Sequence, residues 1–417
     1  MPTNVTAAEK TKLQLTLYQG GFAHISETRF IPPLTEDLIV HYHDIPKLIE
    51  ADSTIVIGLD ISEQSFAFIP DKQALLNRIE GREIMVYTPE TGEERVFILL
   101  NANGGLIVGD TEGKVIVDPK GEVQLSNSIG LPFSPTLIWQ VERQTSPTLQ
   151  LTYLTGGFSW EADYVVMIKG NQFAMRSWAT IRNDSGMDVM NTELRLMAGT
   201  VNRAVSLRTM EFSAAKLPTE QSFADFHLYT YPMRVSILDQ QQKHFQLIST
   251  DHSGFETIYE VREGQRHPSI TIVFKNTEKN GLGIPLPAGQ VKVYKEENGV
   301  SAFIGEDSIG HTAVNETVKL TTGEAFDITV YSGDVDRYVR DGFEYEVMLY
   351  EIRNQKDEAV EILIRHIPDK VLWTVEESSH PWERKGNEIQ IRLTIPANTN
   401  QDVKFTIKYD RSVENRR

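Results

Sequence analysis

Residues 154–203 read LTGGFSWEADYVVMIKGNQFAMRSWATIRNDSGMDVMNTELRLMAGTVNR. A strand, a glycine-bearing turn, a second strand, a polar Asn-rich loop and a third strand follow one another here. Apolar and polar residues alternate with a period of two, which puts one face of each strand in a core and the other in solvent. That is the grammar of an antiparallel β-sandwich, and it predicts an all-β fold.

The same alternation recurs outward from this stretch. In Glu388–Ile395, residues Ile389, Ile391, Leu393 and Ile395 alternate with Gln390, Arg392 and Thr394. In 402–409, Val403, Phe405, Ile407 and Tyr409 alternate with Lys404, Thr406 and Lys408. Read as helices, both segments would scatter their apolar residues around the cylinder. Joined by the 396–401 turn, they are expected to form a closing hairpin. Gly156 and Gly157 are expected in a hairpin turn for the same reason.

Helix is expected to be scarce, and its best candidate is 71–79, where Asp71 follows Pro70 and can cap the first turn, and Leu75, Leu76 and Ile79 form one apolar stripe. Short apolar runs separated by Thr91-Gly92 and Asn103-Gly104-Gly105 follow it. A helix and then four or five strands is the layout of a small SH3-like or Sm-like barrel, inserted at about 70–127.

Three stretches share one plan: WATIRNDSGMDVMNTELRL, TIVFKNTEKNGLGIPLPAGQVKVY and MLYEIRNQKDEAVEILIRH. Each has a strand ending in Asn (Asn183, Asn276, Asn354), a polar turn and a second strand. The Asn amide sits where it can satisfy turn backbone groups. The expected organisation is an N-terminal strand region at 1–69 packing on a central sandwich, the barrel at 70–127, the central sandwich at 128–250, a sandwich at 251–332 and an immunoglobulin-like sandwich at 333–417. Residues 204–242 are expected to be a long surface excursion.

Composition narrows the function classes. The chain has 417 residues, 40% of them hydrophobic and 24% charged, so real cores in several domains are expected. The net charge of −17, with Lys and Arg scattered among Asp and Glu, opposes phosphate and anionic-lipid surfaces. No nucleic-acid partner is expected. No cysteine is present, which excludes disulfides, thiolate metal sites and cysteine nucleophiles. The N-terminus lacks the apolar core of a signal peptide, and no apolar run is long enough to span a membrane. Cytoplasm is the default location, with unconventional display in a surface or spore-associated assembly as an alternative.

With these segments laid out, the chain resembles the bacterial family called domain of unknown function 4139, distantly related to mucoidy-inhibitor-like proteins. The resemblance runs nearly end to end. It is carried by LTLYQGGFAHISETRFIPP, LLNRIEGREIMVYTPETGEE, LTYLTGGFSWEADYVVMI, FADFHLYTYP, FKNTEKNGLGIPLPAGQVKVY, FIGEDSIGHT and ESSHPW. It implies an all-β, multi-domain body without the coiled coil of the longer relatives, and it brings no catalytic residue with it.

Candidate chemistry is sparse. His41 and His43 alternate on one strand face and could share a metal, but no third ligand is evident nearby, and a solvated face is the plainer reading. Glu161 and Asp163 share a strand face, roughly 7 Å apart, a spacing open to a general acid/base pair. Of these two, Asp163 fits the family pattern. Glu306 and Asp307, just before His311, could orient that imidazole or share a cation with it, or each could bridge a turn amide. The glycines of 282–289 lack the spacing and the following Lys-Ser or Lys-Thr of a phosphate loop. No cofactor motif is found. The acidic insert, with Glu80, Glu83, Glu90, Glu93 and Glu94, is open to peptide binding or self-association, or serves as a spacer. The leading expectation is a non-enzymatic interaction or assembly protein with a protein partner or self-association. The alternative is a carbohydrate-active or metal-dependent hydrolase using Asp163 or the Glu306, Asp307 and His311 group.

Overall fold

Alternation of apolar residues becomes strand after strand in the computed structural model, which describes residues 2–34, 38–125, 131–199, 201, 221–223 and 226–410. The protein is all-β, with antiparallel and mixed sheets and one short α-helix among the described residues. Most of 204–242, the expected excursion, lies outside the described residues as far as 220. Two compact units are formed, Met1–Trp160 with Ile181–Lys243, and Glu161–Thr180 with His244–Arg417.

In the first unit the N-terminal strands are hydrogen-bonded into the central sheet. Lys10–Tyr18 pairs in parallel with Val189–Ala198, and Phe22–Phe30 pairs antiparallel with Thr148–Gly156. A four-stranded sheet holds Thr3–Val5, Ile39–Tyr42, Thr136–Gln144 and Leu59–Ala67. The insert is a five-stranded antiparallel sheet with its helix at Lys72–Arg78. Asp71 caps that helix by accepting the Ala74 N–H at 2.8 Å. Leu76 and Ile79 are buried with Ile84, Phe97, Leu99 and Val108, and Leu75 packs against them. The Thr91-Gly92 and Asn103-Gly104-Gly105 turns join strands that pair with each other, as expected.

The second unit carries a sandwich. One layer has six strands, in the order Thr317–Glu324, Ser269–Lys275, Glu256–Arg262, Val360–His366, Glu388–Ile395 and Glu383–Lys385. The other has four: Ile328–Arg340, Phe343–Asn354, Thr399–Asp410 and Trp373–Ser378. Stretches 251–332 and 333–417 therefore contribute strands to the same two layers. Val261, Ile362, Ile364 and Ile391 from one layer meet Val330, Met348, Tyr350, Phe405 and Ile407 from the other. Each such side chain, taken out of water, stabilises the fold by about 2 kcal/mol. A further five-stranded sheet runs in the order Gln241–Gly254, Gln172–Asn183, Phe158–Lys169, Gly289–Glu297 and Val300–Ile309.

Two expected hairpins are corrected. Glu388–Ile395 pairs with Val360–His366, whereas Thr399–Asp410 pairs with Phe343–Asn354 and Trp373–Ser378. The 396–401 turn therefore crosses from one layer to the other. Likewise Thr148–Gly156 and Phe158–Lys169 belong to different sheets. At the Gly157 crossing φ is +82°, and a Cβ would stand 2.7 Å from Ser185 Cα, so only glycine fits. Alternation fixes which face of a strand is buried, not which strand lies beside it.

Candidate functional site

His41 and His43 do lie on one face, with ring centroids 6.1 Å apart and edge to face. Both His43 nitrogens are engaged, Nδ1 with Thr136 Oγ1 and Nε2 with Asn4 Oδ1, each at 3.0 Å. Burial, and then the neighbouring His41, hold the His43 pKa below its ordinary value, which favours a neutral ring satisfied by these two partners. Among the described residues no group of three or more His, Asp or Glu is arranged to hold a metal.

Glu161 is exposed, while Asp163 is half-buried and accepts the Thr180 hydroxyl proton. Thr180 Oγ1 also lies 2.9 Å from His244 Nδ1. Since the single hydroxyl proton is directed at Asp163, His244 Nδ1 is the donor in that contact. Glu161 has no hydrogen bond to this chain of groups, so the two carboxylates do not act as a pair. Glu306, Asp307 and His311 serve separate purposes. Asp307 accepts the N–H groups of Ser308 at 2.8 Å and Thr321 at 2.7 Å. His311 Nδ1 accepts the Ala288 N–H at 3.2 Å, and Glu306 is exposed opposite Lys292. Lys319, Arg365 and Lys385 border a shallow depression of about 560 Å³, but Glu260 and Glu388 already hold Arg365 at 3.1 and 2.8 Å.

Two clusters of charge were not anticipated. In the first unit Glu27 and Arg29 continue the inward phase of Ala23 and Ile25 and are sealed from solvent, 3.0 Å apart. Lys10 pairs with Glu27 at 2.9 Å, and Arg29 stacks 3.9 Å over the Tyr42 ring. Arg29 also donates to the His43 and Asp44 carbonyls at 2.6 and 3.1 Å, which ties its strand to the facing sheet.

The second cluster lies near the turn end of a long hairpin, Ile328–Arg340 with Phe343–Asn354. Arg337 donates to Glu346 through a short contact, to Asp369 at 3.1 Å and to Glu344 at 3.4 Å. Glu346, nearly buried, also accepts the Tyr409 hydroxyl at 2.5 Å, and Lys370 reaches Glu344 at 2.8 Å. The hydrogen bond to Asp369 and the Glu346 charge hold the arginine pKa above its ordinary range. Burial, and then Glu346, push the Tyr409 pKa up. Close by, burial pushes His366 down to about 4, and its Nδ1 lies 3.0 Å from the Tyr350 hydroxyl. Glu263, beside His366 at 3.5 Å, is raised by burial and by Glu346, Asp369 and Asp334.

This network fixes a hairpin whose outer edge is open. Ile328–Arg340 is an end strand of its sheet. The Val330 N–H donates to the Arg266 carbonyl at 2.8 Å and the Gly264 N–H to Ser332 Oγ at 2.9 Å, so the edge is covered as far as residue 332. Over 333–340 no strand lies on that side among the described residues. Val335, Tyr338 and Val339 are exposed there, at 49%, 37% and 58%. Asp341 and Gly342, with φ of +51° and +81°, make the two-residue turn, so Arg340 and Phe343 are a hydrogen-bonded pair. Counting back from that pair, Asp336 and Tyr338 point their amides inward, and Arg337 and Val339 point theirs outward. A bulge at Val335 interrupts the register. No protein-family model and no curated protein matches this chain. The Asp-Gly pair between alternating runs was the local signal for this hairpin. Asp369, supplied from another segment, left no such trace.

Proposed function

We propose that this is a non-enzymatic interaction or assembly protein, engaging its partner by strand addition along 333–340. The observation that carries this reading is the open edge itself, presented on a hairpin anchored by Arg337. Unpaired amides on a rigid edge template an incoming strand, while the side chains on either side supply selectivity. Membership of the domain of unknown function 4139 family belongs to the same proposal and is supported by the all-β body. The hydrolase alternative is weakened because Asp307 and His311 bond to separate backbone amides.

Val339→Pro tests the reading, because proline removes an outward amide without touching the Arg337 network. Complexes purified with the wild-type chain from extracts of its own cells are expected to be lost with Val339→Pro, with the melting temperature unchanged. Equal recovery of the same partners by the variant would reject the reading.

A further inference from the structure

The sheet of the insert is apolar on both faces, and its own helix covers only one. Phe97, Leu99 and Val108 turn inward and cluster with Leu76 and Ile79. An antiparallel sheet that is solvated on its other face fills the intervening positions with polar side chains. Here those positions hold Val96, Ile98 and Leu100 on one strand and Val115 and Val117 on the end strand, all between 45% and 66% exposed. The ladders make them neighbours. Ile98 lies opposite Gly109 and Gly109 opposite Val115, while Ile107 lies opposite Val117. Leu100, at a bulge, leans over Gly109, with its Cδ1 3.5 Å from where a Cβ would stand. One aliphatic band thus crosses three strands in contact with water, the kind of polar-rimmed patch that marks an interaction surface.

Charge identifies what covers it. The charged residues whose strand positions share this face are Glu83, opposite Ile98, and Glu94 and Glu122, on either side of Tyr87. No Lys or Arg occupies a strand position on it, and none of the three carboxylates forms an ion pair among the described residues. The cations at adjoining positions, Arg95 and Lys114, are already held by Glu93 and Glu112 at 2.9 and 2.7 Å. We infer that this face docks a cationic amphipathic helix of another protein, its apolar stripe on the aliphatic band and its flanking Lys and Arg side chains on Glu83, Glu94 and Glu122. A helix is the element that packs on a sheet face, as the insert's own helix does on the opposite side. An isologous contact with a second copy would set these carboxylates against their own counterparts, and anionic lipid or nucleic acid would meet the same repulsion. The inference does not depend on strand addition along 333–340.

Calorimetric titration of the full chain with synthetic peptides tests this. The probe is a helical peptide of about 18 residues made of Leu and Lys, with its leucines on one face. One control replaces its lysines by Glu, and a second keeps the composition but scatters the leucines. The probe is expected to saturate at one peptide per chain, with both controls at least about tenfold weaker. Ile98→Thr and Val115→Thr keep a β-branched side chain in the strand. Each should weaken the probe about tenfold with the melting temperature unchanged. Glu83→Lys should weaken it about threefold, whereas Glu324→Lys, the same charge change at an exposed position on another sheet, should not. Equal binding of the scattered peptide, or equal weakening by Glu324→Lys, reduces the effect to bulk charge and overturns the inference. So does a dimer in sedimentation velocity that Ile98→Thr dissociates, or binding to phosphatidylserine vesicles that Ile98→Thr abolishes. Val339→Pro should leave the titration unaltered, so this surface and the 333–340 edge stand or fall separately.

Discussion

Asn354 is fully buried, and its amide spans three pieces of chain. Its Nδ2 donates to the Glu358, Ile395 and Pro396 carbonyls, at 2.9, 3.2 and 2.9 Å, and its Oδ1 accepts the Lys356 N–H at 3.1 Å. Asn183 does the same for Met187, Ile237 and Ser185, and Asn276 for Ile284, Ala313 and Gly283. Each therefore serves its own turn and also a segment brought from elsewhere. Asn354→Ala leaves an amide and up to three carbonyls without partners, so a loss of about 3 kcal/mol is expected in denaturant titration. Glu27→Gln removes the charge that answers a sealed Arg29 and should cost a similar amount, about 3 kcal/mol, read the same way. His366 gives a pH signature. Its pKa falls from 6.5 to about 4 on folding, so between those values the unfolded chain binds more protons. Stability is full above pH 6.5 and declines as pH drops toward 4, by about 3 kcal/mol in total. Melting curves across that range should show the slope in wild type and lose most of it in His366→Phe.

Among the elements, those closed by local turns were legible. The Asp71 cap, the helix stripe and the glycine turns of the insert all join neighbours in sequence, and residue type at the turn decides them. The crossings at Gly157 and at 396–401 were read as hairpins because alternation looks identical whether the next strand pairs beside or packs opposite. The candidate site was less legible still. Arg337 stands in an ordinary alternating run, and its partners Glu346 and Asp369 become neighbours only after the layers assemble. Arg337→Gln should leave Glu346 nearly buried with one donor fewer. Because Arg337 is itself partly exposed, the expected cost is about 2 kcal/mol, below that of breaking a sealed pair. Hydrogen exchange should show that loss concentrated in 334–346. Gly289 tests another contact. A Cβ there would stand within contact distance of the Ala162 carbonyl oxygen on the parallel neighbouring strand. Gly289→Ala should therefore destabilise by about 2 kcal/mol or more in thermal melts.

At the scale of the whole molecule, the sheets are knitted from distant parts of the chain. Leu15 sits beside Leu194, and Tyr259 beside Ile362, both through parallel ladders. Thr399–Asp410 lies inside its sheet and buries Val403, Phe405, Ile407 and Tyr409 almost completely. Removing it forfeits roughly 8 kcal/mol of apolar burial, comparable with the entire stability of a typical domain. A chain ended after residue 395 is therefore expected to lose the cooperative melt of its second unit. The parallel ladder between 258–262 and 361–365 also sets a timetable. As the nascent polypeptide leaves the ribosome, the aliphatic strands at 256–275 emerge long before the segments that will cover them are translated. During that interval they are substrates for holdase chaperones, and slowing translation between residues 275 and 360 should lengthen their dependence on that protection.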